Sequence, residues 1–258
     1  MGDLDMMKQD WRGEHDAGLH RLLYARGADL RSETVGAAMA GLIQAMPRLR
    51  LREYFSCKPD VLSSADHVII AYDTARRAAV ATLASRWYHA YDRPFLHIAT
   101  LLIGEAQQRT GLIKQLFRVH CIETGREHGI PSVLAMRTYN PHAYRAMCAF
   151  AGVEGVALYP GIRRLSQDPE LRGLASEVAK VVSPGLEFCP DTGVIRGGAA
   201  GVPVDFYPSL EETRDTAINH YFARHLTPAD RLLCMLVSRS EAAREKIARA
   251  LGVPGKRT

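Results

Sequence analysis

Residues 95–128 constrain this chain more than any other stretch. An apolar run of strand length, residues 95–103, follows Pro94 and leads through a polar turn, Gly104-Glu105-Ala106-Gln107-Gln108-Arg109-Thr110, into a helical pattern starting at Gly111. Leu112, Ile113, Leu116, Phe117, His120 and Ile122 fall on one broad apolar stripe that ends near His128-Gly129. A strand joined to a helix by a short turn points several backbone N–H groups, and the positive end of the helix dipole, at one spot. That arrangement suits a phosphate. Gly111 allows close approach of the backbone, and Lys114 adds a cation in the first turn.

Other elements fall into place around this junction. From Ser32 the positions Val35, Met39, Leu42, Ile43 and Met46 predict an amphipathic helix that Pro47 stops. Residues 68–72 are an apolar run, 73–76 a turn, and 78–88 a second strand, which together predict a hairpin. Residues 131–136 predict a strand, and Asn140-Pro141 opens a helix with Asn as cap and Pro in the first helical position. Asp168-Pro169-Glu170 starts a helix running to Val182. Residues 186–199 read as a loose hairpin and 232–237 as a buried strand. Ser209 with Glu212, and Ser238 with Glu241, match the capping-box spacing. The first 30 residues show no clear period. The order of elements predicts an α/β (α+β) chain with a mixed, partly antiparallel central sheet flanked by helices.

Composition narrows the function classes. In 258 residues the net charge is +5. Basic and acidic side chains number 9 and 9 in residues 1–60, 10 and 7 in 61–160, and 14 and 12 in 161–258. Charge is mixed throughout, with no basic stripe, so nucleic acid is not the expected partner. The small surplus in the middle third suits a phosphorylated ligand. No window is apolar enough to span a membrane, and the first residues carry no secretory stretch, so a cytoplasmic, membrane-free protein is expected. Cys57, Cys121, Cys148, Cys189 and Cys234 are odd in number, and none stands at zinc-ligand spacing from a histidine. No metal is expected. The motifs HExxH, GxSxG, GxGxxG and the Walker phosphate loop are absent from the sequence.

Gln108-x-x-Gly111-x-Ile113 resembles the Gln/Arg-x-x-Gly-x-Gly/Ala pyrophosphate loop of the GNAT superfamily of N-acetyltransferases. The surrounding order of elements over residues 32–160 is similar as well, including a later helix that opens with Asn140. The resemblance implies the acyl-CoA N-acyltransferase fold, with acetyl-CoA or another acyl-CoA held where two adjacent parallel strands splay apart. The pantetheine arm would pair with the backbone of Leu101, Leu102 and Ile103, a form of strand addition. The diphosphate would accept N–H bonds from Gln108, Arg109, Thr110, Gly111, Leu112, Ile113 and Lys114, and Asn140 would touch the CoA arm. Ile113 departs from the motif, since a branched side chain stands where the family has Gly or Ala.

Acyl transfer to an amine needs a base for the ammonium proton and an acid for the leaving thiolate. The family's carboxylate position on the central strand falls on His97, an imidazole suited to proton transfer near neutral pH. Glu105 is the alternative carboxylate. The family's acidic tyrosine falls on Met147, which donates no proton; Tyr144, three residues earlier on the same helix face, is the preferred substitute, with Tyr139 just before the cap. Tyr88 and His89 end the preceding strand and stand as acceptor-facing candidates.

The chain is thus expected to divide into an N-terminal segment (1–31), a GNAT-like core (32–160) and a C-terminal extension (161–258). The extension would complete the sheet and cover the acceptor site or build a homodimer face. The leading expectation is transfer of a short acyl group from acyl-CoA to an amine of a small molecule by direct attack. Two alternatives stand beside it: a catalytically degenerate binding protein of the same fold, favoured by Ile113 and Met147, and an acyltransferase that takes its acyl group from an acyl carrier protein.

Overall fold

A computed structural model describes residues 10–91, 93–164, 166–203, 205–207 and 212–253. The fold is α/β, with mostly antiparallel sheet flanked by helices. It divides into two compact units, each assembled from separate segments. One comprises Met1–Arg86, Ile98–Ile130 and Ala248–Thr258; the other comprises Trp87–His97 and Pro131–Ile247.

The first unit opens with a hairpin, β1 (Gly13–Ala17) and β2 (His20–Ala25), turned at Gly18, whose φ is 72°. β2 pairs antiparallel with β3 (His67–Asp73). β3 in turn pairs antiparallel with β4 (Ala78–Ala90). The turn between them is held by the Asp73 carboxylate, which accepts from the N–H groups of Ala75 and Arg76 at 3.0 Å each. Between β2 and β3 run α1 (Ser32–Ala45) and α2 (Leu51–Cys57). α1 ends before Pro47, as its periodicity predicts. Residues 67–72 of β3 are buried without interruption, so both faces of that strand are covered. The far half of β5 (Arg93–Ile103) returns to this unit beside β4, where the Gly104 N–H donates to Val80 O at 2.8 Å. α3 (Leu112–Glu127) follows and packs on β3 and β2.

In the second unit β10 (Arg231–Ser238) is the organising strand. β6 (Val133–Thr138) pairs along one edge of it. β7 (Val156–Tyr159) and β9 (Val194–Ile195) share the other edge, and β8 (Phe188–Cys189) adds a two-residue ladder to β9. Every β10 residue is buried. Alternation sends Leu233, Met235 and Val237 to one face and Leu232 and Cys234 to the other. On the first face lies α5 (Pro169–Val182), through Leu171, Leu174, Ala175 and Val178. On the second lie α4 (Pro141–Ala151) and α6 (Thr216–His225), through Tyr144, Ile218 and Phe222.

Four local features differ from the sequence expectations. The hairpin β1–β2 and the short α2 occupy stretches for which the sequence predicts no element. α7 (Glu241–Leu251) is capped by Ser240, whose Oγ accepts from the Ala243 N–H at 3.1 Å, rather than by Ser238, which is still part of β10. α6 is capped by Asp215, whose carboxylate accepts from the N–H groups of Ala217 and Ile218; Ser209 lies outside the described residues.

One glycine makes the packing of the first unit testable. A Cβ at Gly41 would stand 2.6 Å from the backbone N and 2.8 Å from the backbone O of Ala79, because α1 rests directly on β4 there. Helix propensity alone favours Ala over Gly by about 1 kcal/mol. The clash is with backbone and outweighs that gain. Gly41→Ala is expected to lower the unfolding free energy in urea by roughly 1–3 kcal/mol; a stabilised variant would show that α1 does not sit this close.

Candidate functional site

The strand-to-helix junction of the first unit is built from unusual backbone. Gly104 leaves β5 with its N–H bonded to Val80 O. A Cβ there would meet Val80 O at 2.7 Å and the Gln107 Oε1 at 2.6 Å, so only glycine fits. One short turn, Glu105–Gln107, follows, with Gln107 buried. The chain then passes through two left-handed residues, Arg109 (φ 67°) and Gly111 (φ 84°). A non-glycine residue held there costs of order 1 kcal/mol or more, strain that concentrates at functional turns. The Thr110 hydroxyl donates to Gln107 O at 2.7 Å and pins the bend.

Gly111 is the N-cap of α3, and its carbonyl accepts from Lys114 and Gln115 at 3.0 and 3.3 Å. The amides of Gly111, Leu112 and Ile113 are then the open donors that begin a helix. Gln108, Arg109, Thr110, Gly111 and Lys114 are exposed, Ile113 is half-buried and Leu112 is buried. The first turn of α3 contains no acidic residue. Glu105 is turned away toward Arg48: its Oε1 accepts the Arg48 N–H at 3.1 Å, and the guanidinium lies 3.6 Å from its Oε2. The junction therefore presents amide donors, a helix dipole of 16 residues and two cations, with its one carboxylate already matched. In charge and in donor count the junction is the complement of an anion. Leu101, Leu102 and Ile103 are the last three residues of β5 leading into it, with Leu102 buried and its neighbours half-buried.

His97, Tyr144 and Asn140 lie in the second unit. His97 is 4% exposed. It stands two residues beyond Phe95 on the same side of β5, and the Tyr88 ring lies against both, at 5.7 Å from Phe95 and 6.2 Å from His97. Phe95 belongs to the face covered by α5. Tyr144 belongs to the opposite face, 1% exposed, edge-on to Phe222 at 6.1 Å. Its hydroxyl donates to Pro160 O at 2.6 Å, and burial pushes its pKa far above the ordinary tyrosine value. The sheet separates His97 from Tyr144, so they do not form the expected acid–base pair, and the Tyr144 proton is committed to a backbone carbonyl. Met147, on the same helix, is also buried. Asn140 caps α4 as its sequence predicts, its Oδ1 accepting the His142 N–H at 2.8 Å. Cys121 is half-buried and Cys234 buried, and burial raises both thiols, Cys121 to about 12. Neither is a nucleophile at neutral pH.

No protein-family model matches this sequence. No curated protein matches it either. Solved structures do. The chain is similar to solved acetyltransferases. One, from Pyrococcus horikoshii and assigned as an acetyltransferase, shares 13% identity over 88% of this chain and 93% of that one, with a TM-score of 0.41. The IAA acetyltransferase of Bacillus cereus shares 13% over 83% and 97%, with a TM-score of 0.39. The GNAT-family N-acetyltransferase YhbS of Escherichia coli, solved in complex with CoA, shares 14% over 52% and 71%, with a TM-score of 0.38. Likeness at this level carries no residue-by-residue correspondence. Among the described residues no helix is long and apolar enough to cross a membrane.

The buried Tyr144 hydroxyl gives a direct check on its role. Tyr144→Phe leaves Pro160 O without its donor, so the unfolding free energy is expected to drop by about 1–3 kcal/mol while turnover per folded molecule stays within twofold. A collapse of kcat in a folded Tyr144→Phe protein would return this residue to the chemistry.

Proposed function

We propose that the chain is a GNAT-type acyltransferase that moves an acetyl or other short acyl group from acyl-CoA to an amine of a small-molecule acceptor. One observation carries this reading: the junction from Gln108 to Lys114 combines a left-handed Gly111, open amides at the start of α3 and exposed Arg109 and Lys114, with no carboxylate in the first turn. A diphosphate is a dianion with acceptor oxygens on every side, and this is the complement it needs. Ile113 is compatible with it, since its side chain is half-buried rather than fully exposed with the polar residues of the loop.

In this reading the amides of Gly111, Leu112 and Ile113 hold the diphosphate, with Arg109 and Lys114 as counter-charges, and Gln108 and Thr110 frame the loop. Leu101, Leu102 and Ile103 carry the pantetheine arm along β5. Bound acyl-CoA supplies an activated thioester. The acceptor nitrogen attacks its carbonyl carbon, the C–S bond breaks, and the electron pair leaves with sulfur. His97 takes the proton from the acceptor ammonium, burial keeping competing water away from the ring. The second proton, shed by nitrogen as the amide forms, goes to the departing thiolate, whose thiol has a pKa of about 8.5, so withdrawal of Tyr144 from that role does not stop the reaction. The second reading is a protein that binds CoA without turnover, and it is favoured by buried Met147 and the engaged Tyr144 hydroxyl.

Calorimetry with acetyl-CoA separates these readings. Saturable binding is expected, weakened roughly tenfold by Arg109→Ala and again by Lys114→Ala, as loss of a charge-assisted contact implies. His97→Gln is expected to keep that affinity and lose turnover. Absence of binding at millimolar ligand overturns the proposal; binding with undiminished turnover in His97→Gln overturns the base alone; binding with no turnover in the unaltered chain selects the second reading.

A further inference from the structure

A cluster at the far end of the first unit takes no part in the proposed acyl transfer. His67, at the start of β3, comes together there with Glu127, the last residue of α3, and His128, its C-cap. One ligand-type atom from each of the three lies within 4.8 Å of the others. We propose that His67, Glu127 and His128 bind a divalent transition-metal cation of the zinc class, which clamps the end of α3 to β3.

Two imidazoles and one carboxylate are a zinc donor set that leaves a fourth position for water. A tetrahedral shell with bonds near 2.0–2.1 Å needs its ligand atoms drawn in to about 3.4 Å of one another. The cluster permits that contraction, because His67 is fully buried and fixed, whereas Glu127 and His128 are surface side chains able to adjust. A cation there also sits at the carbonyl end of a 16-residue helix, the end that attracts positive charge.

Tyr24 supplies the outer layer. Its hydroxyl lies 2.9 Å from the His67 Nδ1 and donates to Glu127 Oε1 at 3.4 Å, so one group orients two ligands. The surrounding charges are mixed. Arg26 pairs with Glu127, and Arg12 lies 3.8 Å from it while its Nε donates to Asp29 at 2.6 Å; both guanidinium groups are partly exposed, so Asp29 and water can satisfy them when a metal takes the Glu127 carboxylate. Asp66 lies beside His67 in sequence, and Glu123 is engaged by His15 at 2.6 Å and by Arg126 at 2.9 Å. Sixty residues separate His67 from Glu127, so no short spacing motif marks the site.

The full-length chain, stripped with a chelator, is titrated with Zn²⁺ against a chromophoric competitor and, separately, with Co²⁺ followed by visible absorption. The expected result is one Zn²⁺ per chain, the intense visible bands of four-coordinate Co²⁺, and a rise in the melting temperature on metal addition. His128→Ala and Glu127→Gln, both at the surface, are expected to keep the far-UV circular dichroism, weaken Zn²⁺ binding at least tenfold and lose the Co²⁺ bands. His15→Ala, in the neighbouring pair, is expected to bind as the unaltered chain does. No binding at submillimolar Zn²⁺, or binding undiminished in both ligand variants, overturns the proposal.

Discussion

The left-handed backbone at Arg109 and Gly111 is what converts the end of β5 into the start of α3. Without a reversal of φ in so few residues, the chain could not leave the sheet and lay the apolar stripe of α3 back onto β2 and β3. Gly104 makes the turn possible at the other end, by letting Val80 O and the buried Gln107 side chain crowd its Cα. The same geometry leaves the first amides of α3 as open donors next to the exposed Gln108, Arg109, Thr110 and Lys114. The bend that packs the helix is therefore also the bend that leaves its first amide donors open.

The second unit rests on the register of β10. Because each of its residues is buried, alternation assigns every neighbouring side chain to one of two covered faces. Phe95 and its neighbour His97 fall on the α5 face, and Tyr144 falls on the α4–α6 face. Helix-face arguments place Tyr144 near Met147 correctly. They do not reveal which face of the sheet that helix covers. That is decided by pairing between residues nearly a hundred positions apart, such as Cys234 with Met136.

Elements with strong local signals were legible in the sequence. α1 with its Pro47 stop, the β3–β4 hairpin, α3, α4 with its Asn140 cap, α5 behind Asp168-Pro169, and β10 all stand where periodicity and capping chemistry place them. β1 was not legible, because Gly-Glu-His-Asp-Ala shows no apolar alternation and owes its strand form to pairing with β2. α2 is too short, at seven residues, to display a period. The junction at Gly111 was legible through its glycine and cation, whereas the turning of Glu105 onto Arg48 depends on a loop 57 residues away. The His67–Glu127–His128 cluster was hidden for the same reason. Spacing motifs report residues that share one local element; Glu127 and His128 are adjacent at the end of α3, but His67 joins them only through the tertiary fold.

Acyl transfer by this chain requires that the α3 amides hold a diphosphate. A crystal structure of the chain grown with CoA tests it most directly. Diphosphate density is expected within hydrogen-bonding distance of the Gly111, Leu112 and Ile113 amides, with Arg109 and Lys114 beside it. Ordered CoA whose diphosphate rests against any other part of the chain would contradict it.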